Sequence, residues 1–352
     1  MNELREVIAA LEGTAGARAA AVLATLVRVE GSAYSGPGAR MAVLPDSSIA
    51  GTFGAGCFEQ DLVGHAERIR GSGAPALVAY DLTRDDDKPW GLGMGCHGKL
   101  DLLLEPVPPG SVPEHLAFLR DAGRVRQRAA VATLFRTGDD AALALGDRLL
   151  ARADGFATGR LVHAPLGEAL LAAVRAALAE GRARFFRARG AAGEVEALIE
   201  VVEPPLALLV AGAGRDTGPL VRIGQELGWD VRVLGKDELP PEPDERSAAV
   251  VMSHNYERDV ALLATLLASP CRYVGVLGGQ ARITRLLDEL ARRGAPVTAE
   301  QRARLHAPVG LDLGAETPSE VALSIAAEVQ TAFTGRRGGA LSERKGPIHD
   351  RP

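Results

Sequence analysis

Two cysteines in glycine-rich segments carry the clearest chemical signal in the sequence. Cys57 stands in GTFGAGCFEQD and Cys96 in GLGMGCHGKLD, where His97 follows it directly. Thiolates are soft ligands that suit copper, zinc, iron–sulfur and other thiophilic centres, and neighbouring glycines let a bulky ligand approach the backbone. Two thiols and one imidazole fall short of a structural zinc site, which uses four closely spaced ligands. The pattern therefore predicts Cys57 and Cys96 as metal ligands in a binding site for a thiophilic cofactor.

A third glycine-rich segment, GSAYSGPGARM at 31–41, adds a cation to these thiols. The guanidinium of Arg40 can hold an anion through two parallel hydrogen bonds. Together the segments predict a site for an anionic cofactor that bears sulfur or a metal. The residues assigned to this site are Ser32, Gly38, Arg40, Gly54, Gly56, Cys57, Glu59, Gly95, Cys96 and His97. The third cysteine, Cys271, precedes an apolar run and is predicted to be a small buried residue.

An internal repeat shows that the cysteine segments are an addition to the architecture. Segment 20–52 resembles segment 129–160: VLATLVR matches VATLFR, and RMAVLPDSSIAG matches RLLARADGFATG. Each copy continues into a helix-like run and then into a strand followed by prolines. The second copy has ARGAAGEVEAL where the first has GLGMGCHGKLDL, and it lacks both cysteines. A unit of this kind can therefore be built without them, which favours a functional role.

Strands and helices alternate after the EPP at 203–205, and this alternation predicts a parallel sheet. The predicted fold class is α/β, with N-terminal duplicated α+β units followed by a C-terminal Rossmann-like doubly wound parallel sheet. The predicted domains are 1–109 with the cysteine segments, 110–205 as the second copy, 206–335 as the Rossmann-like domain, and 336–352 as a polar tail. PSEVALSIAAEVQTAFTG at 318–335 is predicted to form the last long helix.

GAGRDTG at 212–218 follows a predicted strand and opens a helix, as a dinucleotide-binding turn does. Gly212 would form the tight turn, and Gly214 would let backbone N–H groups approach a phosphate. Thr217 replaces the third glycine of the fingerprint, and the second predicted strand ends at Gly235 and Lys236 instead of an acidic residue. The Rossmann-like fold is predicted, while bound NAD(P) is kept as a doubtful alternative.

Polar residues follow two later strands of the same predicted sheet. His254 and Asp259 begin a loop and helix, and Arg282 follows VLGGQAR. Ligands of open parallel sheets bind at the carboxyl ends of the strands, so these residues are expected to line one crevice. The alternative is that His254 and Asp259 cap a helix and satisfy one another.

Composition excludes several classes of partner. The 352 residues carry a net charge of −5, with 47% hydrophobic and 24% charged residues, so no basic excess indicates nucleic acid. MNELREVIAALEG is typical of an amphipathic helix and lacks the features of a signal peptide. No apolar run is long enough to cross a membrane. Three cysteines do not form a disulfide framework, and a cytoplasmic location is expected.

Long ordered motifs resemble those of the xanthine dehydrogenase accessory proteins, the XdhC/CoxI family. The N-terminal motifs are GSAYSGPGARM, GTFGAGCFEQDLV and GLGMGCHGKLDLLLEP. The C-terminal motifs are GAGRDTGPLV, VVMSHNYERDVALL, YVGVLGGQARITRLL, GLDLGAETPSEVALSIAAEV and a late GPIH. These C-terminal motifs extend the predicted cofactor-binding set to Gly212, Gly214, Asp216, His254, Asp259, Gly278, Arg282 and Glu316. The chain has Ala55 and His97 where the family usually has glycine.

The resemblance implies a chaperone for molybdenum cofactor, a molybdopterin with or without an attached nucleotide. Such a protein protects the cofactor, supports its sulfuration by a cysteine desulfurase and inserts it into a molybdenum hydroxylase of the xanthine or carbon monoxide dehydrogenase type. Whether the protein is itself a catalyst stays open, and a homodimer is expected. The alternatives are an NAD(P)-dependent oxidoreductase that uses the Rossmann domain, and a scaffold without a small ligand.

Overall fold

The computed structural model describes residues 2–31, 33–53, 59–81, 98–190, 193–212, 214–236, 238–253 and 255–345. Contacts between residues divide the chain into two compact units, which meet in sequence between Pro204 and Pro205. The N-terminal unit contains both copies of the repeat, and the C-terminal unit contains the alternating strands and helices.

The first copy of the repeat forms a five-stranded antiparallel sheet. Its strands are β1 (Ala21–Gly31), β2 (Arg40–Val43), β3 (Ile49–Gly51), β4 (Ala76–Asp81) and β5 (Gly98–Val107), and its helices are α1 (Asn2–Glu12) and α2 (Glu59–Ser72). The strand order is β3-β2-β1-β5-β4. β1 is central and buried along most of its length because it is covered on both faces. The amphipathic N-terminal helix that the sequence predicts is confirmed as α1.

The second copy repeats this topology strand for strand. Its strands are β6 (Ala129–Arg136), β7 (Arg148–Arg152), β8 (Ala157–Thr158), β9 (Arg184–Gly190) and β10 (Gly193–Val202), and its helices are α3 (Glu114–Arg124) and α4 (Gly167–Glu180). The strand order is β8-β7-β6-β10-β9, which matches β3-β2-β1-β5-β4 of the first sheet position by position. The duplicated antiparallel architecture predicted from the sequence is therefore present.

The two sheets share a core inside the N-terminal unit. Val27, Leu103, Phe135 and Leu198 form one buried cluster, with two residues from each copy. Val27 on β1 has Phe135 on β6 as its repeat counterpart, and Leu103 on β5 has Leu198 on β10. Equivalent residues thus meet each other, as they do across the two-fold axis of a symmetric dimer.

The C-terminal unit is a doubly wound parallel sheet, as predicted. Its strands are β11 (Ala207–Ala211), β12 (Asp230–Leu234), β13 (Ser247–Val251), β14 (Tyr273–Val276) and β15 (Leu305–His306). Its helices are α5 (Thr217–Glu226), α6 (Tyr256–Ala268), α7 (Gln280–Arg292), α8 (Ala299–Ala303) and α9 (Pro318–Thr334). The order is β12-β11-β13-β14-β15. Alternate strand residues pack against α6 and α7 on one face and against α5 and α9 on the other.

Two smaller predictions are also tested in this unit. Cys271 is fully buried beside β14, so the prediction of a small buried residue is confirmed, and burial raises the pKa of its thiol to about 11. The predicted last helix is α9, which begins after the capping residue Thr317 and ends at the left-handed Gly335. Within the described ranges, no helix combines the length and apolarity that a membrane span needs.

Glu328 of α9 joins three elements of this unit through hydrogen bonds. Its carboxylate accepts from Tyr273 Oη at 2.6 Å, from the Gly310 backbone N–H at 2.7 Å, and lies 3.0 Å from His306 Nδ1. Burial alone would raise the pKa of Glu328, but these hydrogen bonds outweigh it and the net pKa is lowered. The ionised form is therefore favoured in the folded protein.

Glu328→Gln should lower the free energy of unfolding by about 1.5–3 kcal/mol at neutral pH, the range for hydrogen bonds to a charged group. A lowered folded-state pKa gives stability that is present above the ordinary value of 4.5 and is lost as the pH falls through the folded-state pKa. Urea unfolding of both proteins at neutral and acidic pH measures the difference. A difference that stays constant down to acidic pH would contradict the role of the charge.

Candidate functional site

The segment that carries Cys96 is attached at one end of the first sheet. It leaves β4 after Asp81 and rejoins the sheet at Gly98, the first residue of β5. Gly98 pairs with Gly31, the last residue of β1, and Asp81 pairs with Lys99. Both attachment points therefore lie beside the carboxyl end of the central strand.

The segment that carries Cys57 is attached at the same end. β3 and β1 both run antiparallel to β2, so β3 runs in the same direction as β1, and its last residue, Gly51, pairs with Met41, the partner of Ala24 on β1. The chain returns at the start of α2, where Asp61 accepts a hydrogen bond of 2.9 Å from Tyr80 Oη on β4. Burial and this hydrogen bond raise the pKa of Tyr80, so its hydroxyl stays a neutral donor.

Asp61 is also held from its own helix. Its carboxylate lies 3.3 Å from His65 Nε2, and the Nη2 group of Arg68 lies 2.7 Å from His65 Nδ1. Burial, followed by the nearby charge of Arg68, lowers the pKa of His65. A neutral His65 that donates from Nε2 to Asp61 and accepts from Arg68 satisfies all three groups. The start of α2 is thereby fixed to the end of β4.

Many of the residues assigned from the sequence lie outside the described residues. These are Ser32, Gly54, Gly56, Cys57, Gly95, Cys96, His97 and His254. Of Glu59 only the backbone is described, as the first residue of α2. The roles assigned to these residues stay predictions. Among the described ranges, no group of three or more potential metal ligands is assembled.

Arg40 has a partner that the sequence analysis did not foresee. The side chain is buried at the start of β2, and its Nη2 group lies 2.7 Å from Glu200 Oε2 on β10 of the second copy. Its Nη1 group donates to the Gly38 carbonyl at 2.9 Å. Burial raises the pKa of Glu200, an effect that the charge of Arg40 opposes. A role of Arg40 toward an anionic ligand stays a prediction, and it would require this ion pair to open.

The same contact occurs a second time with the copies exchanged. Arg148, the first residue of β7, donates to Glu105 of β5 at 2.8 Å and to the Gly146 carbonyl at 2.8 Å. Gly38 and Gly146 both have positive φ, and a Cβ on either would lie within 2.6 Å of the partner glutamate. Glycine is therefore required at both positions for the carboxylate to approach the backbone.

The sequence did contain a signal for this pairing. Arg40 and Arg148 open the matching repeat segments RMAV and RLLA, and the second segment belongs to the copy without cysteines. A residue kept in both copies is explained by the architecture that they share. The partners Glu105 and Glu200 could not be assigned from the sequence, because each lies in the other copy, far along the chain.

In the C-terminal unit, the turn after β11 lies at the point where the strand order reverses. β11 has β12 on one side and β13 on the other, the arrangement at which open parallel sheets bind ligands. A Cβ on Gly212 would lie 2.8 Å from the Met252 carbonyl after β13, so the tight turn needs glycine. Gly214 and Asp216 follow it directly before α5.

Asp259 and Arg282 are brought together at the carboxyl ends of β13 and β14. Asp259 is 1% exposed, and it accepts hydrogen bonds from Ser253 Oγ and from Arg282 Nη2, the latter at 2.7 Å. The helix cap is Asn255, whose side chain accepts from the Arg258 N–H, so Asp259 does not fill the capping role. Gly278 follows β14, and Glu316 is exposed in the turn before α9.

The residues that depart from the dinucleotide fingerprint have local structural roles. Thr217 is buried, and its hydroxyl donates to the Gly214 carbonyl at 2.8 Å. The Gly235 N–H donates to Glu238 at 3.0 Å, while Arg258 donates to the Gly235 carbonyl. The backbone after β12, where a ribose is bound in dinucleotide sites, is thus bonded to the protein's own side chains.

These features define a two-part protein class, in which a duplicated antiparallel unit carries two cysteine segments and a Rossmann domain follows. The model of the XdhC and CoxI family matches residues 15–81, and that of the XdhC Rossmann domain matches residues 208–329. The two matches cover more than half of the chain. The chain belongs to the XdhC and CoxI family.

Relatives resemble this chain over most of its length. A Bacillus subtilis (strain 168) protein, named as a probable xanthine dehydrogenase subunit, is 27% identical in an alignment of 332 positions that covers 88% of this chain and 92% of the relative. The Escherichia coli (strain K12) molybdenum cofactor insertion chaperone PaoD is 24% identical over 88% of this chain and 82% of its own. A crystal structure described as a xanthine dehydrogenase from Bacillus halodurans is 26% identical, has a TM-score of 0.71, and covers 94% of this chain and 97% of that chain.

Proposed function

We propose that this protein is an accessory protein of a molybdenum hydroxylase, which binds molybdenum cofactor as cargo and inserts it into the hydroxylase. Family membership supports an accessory role, and the relative named as a molybdenum cofactor insertion chaperone supports the cargo. The relative named for xanthine dehydrogenase supports a recipient of that class. In this proposal Cys57 and Cys96 bind the metal or relay sulfur.

The observation that carries the proposal is the common attachment of the two cysteine segments. Cys57 precedes Glu59 by two residues, and Cys96 precedes Gly98 by two. Each cysteine is thus separated from a described residue at this end of the sheet by a single residue of the sequence. These attachment points belong to one end of the first sheet, and the Tyr80–Asp61 hydrogen bond ties them together. Two thiols offered from one end suit a single thiophilic ligand.

The finer parts of the proposal concern sulfuration and partners. A cysteine desulfurase would supply the sulfur of a terminal sulfido ligand, which replaces an oxygen ligand of the bound molybdenum before insertion, and the soft cysteine thiolates would contact the metal or relay that sulfur. The protein would act as a homodimer in the cytoplasm. Residues at the Rossmann crevice, including Gly212, Gly214 and Asp259, would hold a further part of the cofactor.

Cofactor binding and transfer test this function directly. The protein purified from cells that make molybdenum cofactor should contain molybdopterin, and it should activate a cofactor-free xanthine-dehydrogenase-type hydroxylase when the two are mixed. Molybdopterin is assayed by the fluorescence of its oxidised form, and transfer by hydroxylase turnover. Protein that neither carries molybdopterin nor activates the hydroxylase would refute the proposal. Saturable stabilisation by a nicotinamide nucleotide in a thermal melt would instead favour the oxidoreductase alternative.

A further inference from the structure

The two copies of the repeat differ in charge as well as in cysteines. Arg187 of β9 pairs with Glu196, whereas the matching position of the first copy is Ala79, which pairs with Asp101. Two residues further on, the second copy has Arg189 where the first has Asp81. One copy therefore carries the thiols, and the other carries arginines on the strand that corresponds to β4.

Three arginines converge on one buried carboxylate at this place. Arg187 Nε lies 2.8 Å from Glu196 Oε1, Arg136 Nε lies 2.9 Å from Oε2, and Arg28 of the first copy also bonds to Oε2. The Glu196 side chain is 5% exposed, while Arg136 and Arg187 are 47% and 61% exposed. A single buried acid thus holds two guanidinium groups at the surface.

The guanidinium groups retain charge and donors for a further anion. Arg28 has additional acidic neighbours in Asp101 and Glu30, at 3.5 Å and 4.0 Å. Arg136 and Arg187 form ion pairs with Glu196; Arg136 also lies close enough to Asp101 for its charge to act on that carboxyl, and it lines a cavity with Asp139 and Glu194. Each guanidinium has five N–H donors in a fork that matches carboxylate and phosphate oxygens. Most of these donors are not used by Glu196.

This cluster lies toward the end of the unit where the cysteine segments attach. Arg40 of β2 pairs with Thr25 of β1, and its side chain contacts Glu200 of β10. Arg28 lies three residues beyond Thr25 on β1, and its side chain contacts Glu196 of β10. The position further along β1 thus contacts the residue of β10 with the lower number, so β1 runs antiparallel to β10. Because β6 is also antiparallel to β10, β1 and β6 run in the same direction. The carboxyl ends of β1 and β6 therefore lie on one side. Arg28 is three residues, or about 10 Å, from the end of β1.

We propose that Arg136 and Arg187 form a binding site for a phosphate group, supplied by the copy that lacks cysteines. The proposal rests on the proposed function for the identity of the ligand, whose phosphate these residues would hold. Glu196 positions both guanidinium groups, and their exposed donors face an incoming anion. The second copy then has a chemical role: it binds the charged end of a ligand whose metal end is bound by the first.

Binding of molybdopterin to the parent and to the Arg136→Gln, Arg187→Gln and double variants tests this site. Equilibrium dialysis with purified molybdopterin should give binding weaker by about tenfold to a hundredfold for each single variant, because that is the affinity equivalent of one hydrogen bond to a charged group. Molybdopterin from which phosphatase has removed the phosphate should bind the parent about as weakly as intact molybdopterin binds the double variant. It should bind the parent and the double variant equally.

Arg184→Gln is the matched control, since Arg184 lies on the same strand with its side chain on the opposite face and pairs with Glu180. It should bind molybdopterin like the parent. In every variant the carboxylate of Glu196 retains its ion pair with Arg28. An unchanged thermal unfolding temperature would show that the fold is retained. Parent-like affinity of the double variant would refute the phosphate site alone. Failure of the parent to bind molybdopterin would refute the proposed function.

Discussion

The Cys57→Ala, Cys96→Ala double variant is expected to copurify with little or no molybdopterin. Loss of a group that only supports a metal ligand costs roughly 10- to 100-fold in metal affinity, and loss of two thiolates should exceed that range. The single variants show whether the thiols act together. If they bind one ligand, the two single effects will not add up to the effect of the double variant. Molybdopterin and molybdenum per protein are the measured quantities.

The third cysteine provides the control for this experiment. Cys271 is buried in the C-terminal unit, with Sγ 3.2 Å from the Ser247 carbonyl, and burial raises the pKa of its thiol to about 11. Cys271→Ala should therefore retain the cofactor content of the parent. Equal molybdopterin content in the parent and in the Cys57, Cys96 double variant would remove the chemical basis of the proposed carrier role.

Arg40→Met should lower the free energy of unfolding by about 3–5 kcal/mol, because removing one partner of a buried ion pair leaves an uncompensated charge. Both side chains of the pair are less than 10% exposed. Arg40→Met combined with Glu200→Leu should recover most of this loss, since apolar replacement of a whole buried pair is often nearly neutral. Urea unfolding followed by circular dichroism measures both effects.

The pair of Arg160 and Asp147 is the control, because 64% of the arginine side chain is exposed and Asp147, which is 10% exposed, also accepts a hydrogen bond from the Ala144 N–H. Arg160→Met should change the free energy of unfolding by at most about 1 kcal/mol.

The Arg40→Met and Glu200→Leu substitutions also test whether Arg40 binds a ligand. If Arg40 only joins the two copies, the variant that combines Arg40→Met with Glu200→Leu will contain as much molybdopterin as the parent. If its guanidinium binds the cofactor, the double variant loses molybdopterin although its stability is restored.

Local patterns allowed much of the fold to be predicted. The match between 20–52 and 129–160 predicted two copies of one unit, and their sheets have the same strand order. The alternation after 205 predicted the parallel sheet. Both signals arise from short windows, in which buried strands and amphipathic helices impose a fixed spacing on apolar residues.

The candidate site was predicted less completely. The sequence indicated the two cysteine segments and their chemistry, and it associated Asp259 with Arg282 through their positions after neighbouring strands. It did not indicate Tyr80 and Asp61, whose hydrogen bond links β4 to the start of α2. No spacing rule connects these two residues, since they meet only when the helix has packed on the sheet.

By itself, the sequence determined which residues can do chemistry, where the repeat lies and which elements alternate. Only the tertiary structure decided that equivalent residues of the two copies face one another, and so gave Arg40 a partner at Glu200. It also decided that Arg28, Arg136 and Arg187 share Glu196. The physical reason is that charge pairing across two sheets depends on which faces meet and in which direction the strands run. The two contacts that cross between the sheets, Arg40–Glu200 and Arg28–Glu196, join residues 160 and 168 positions apart, and they leave no periodic trace along the chain.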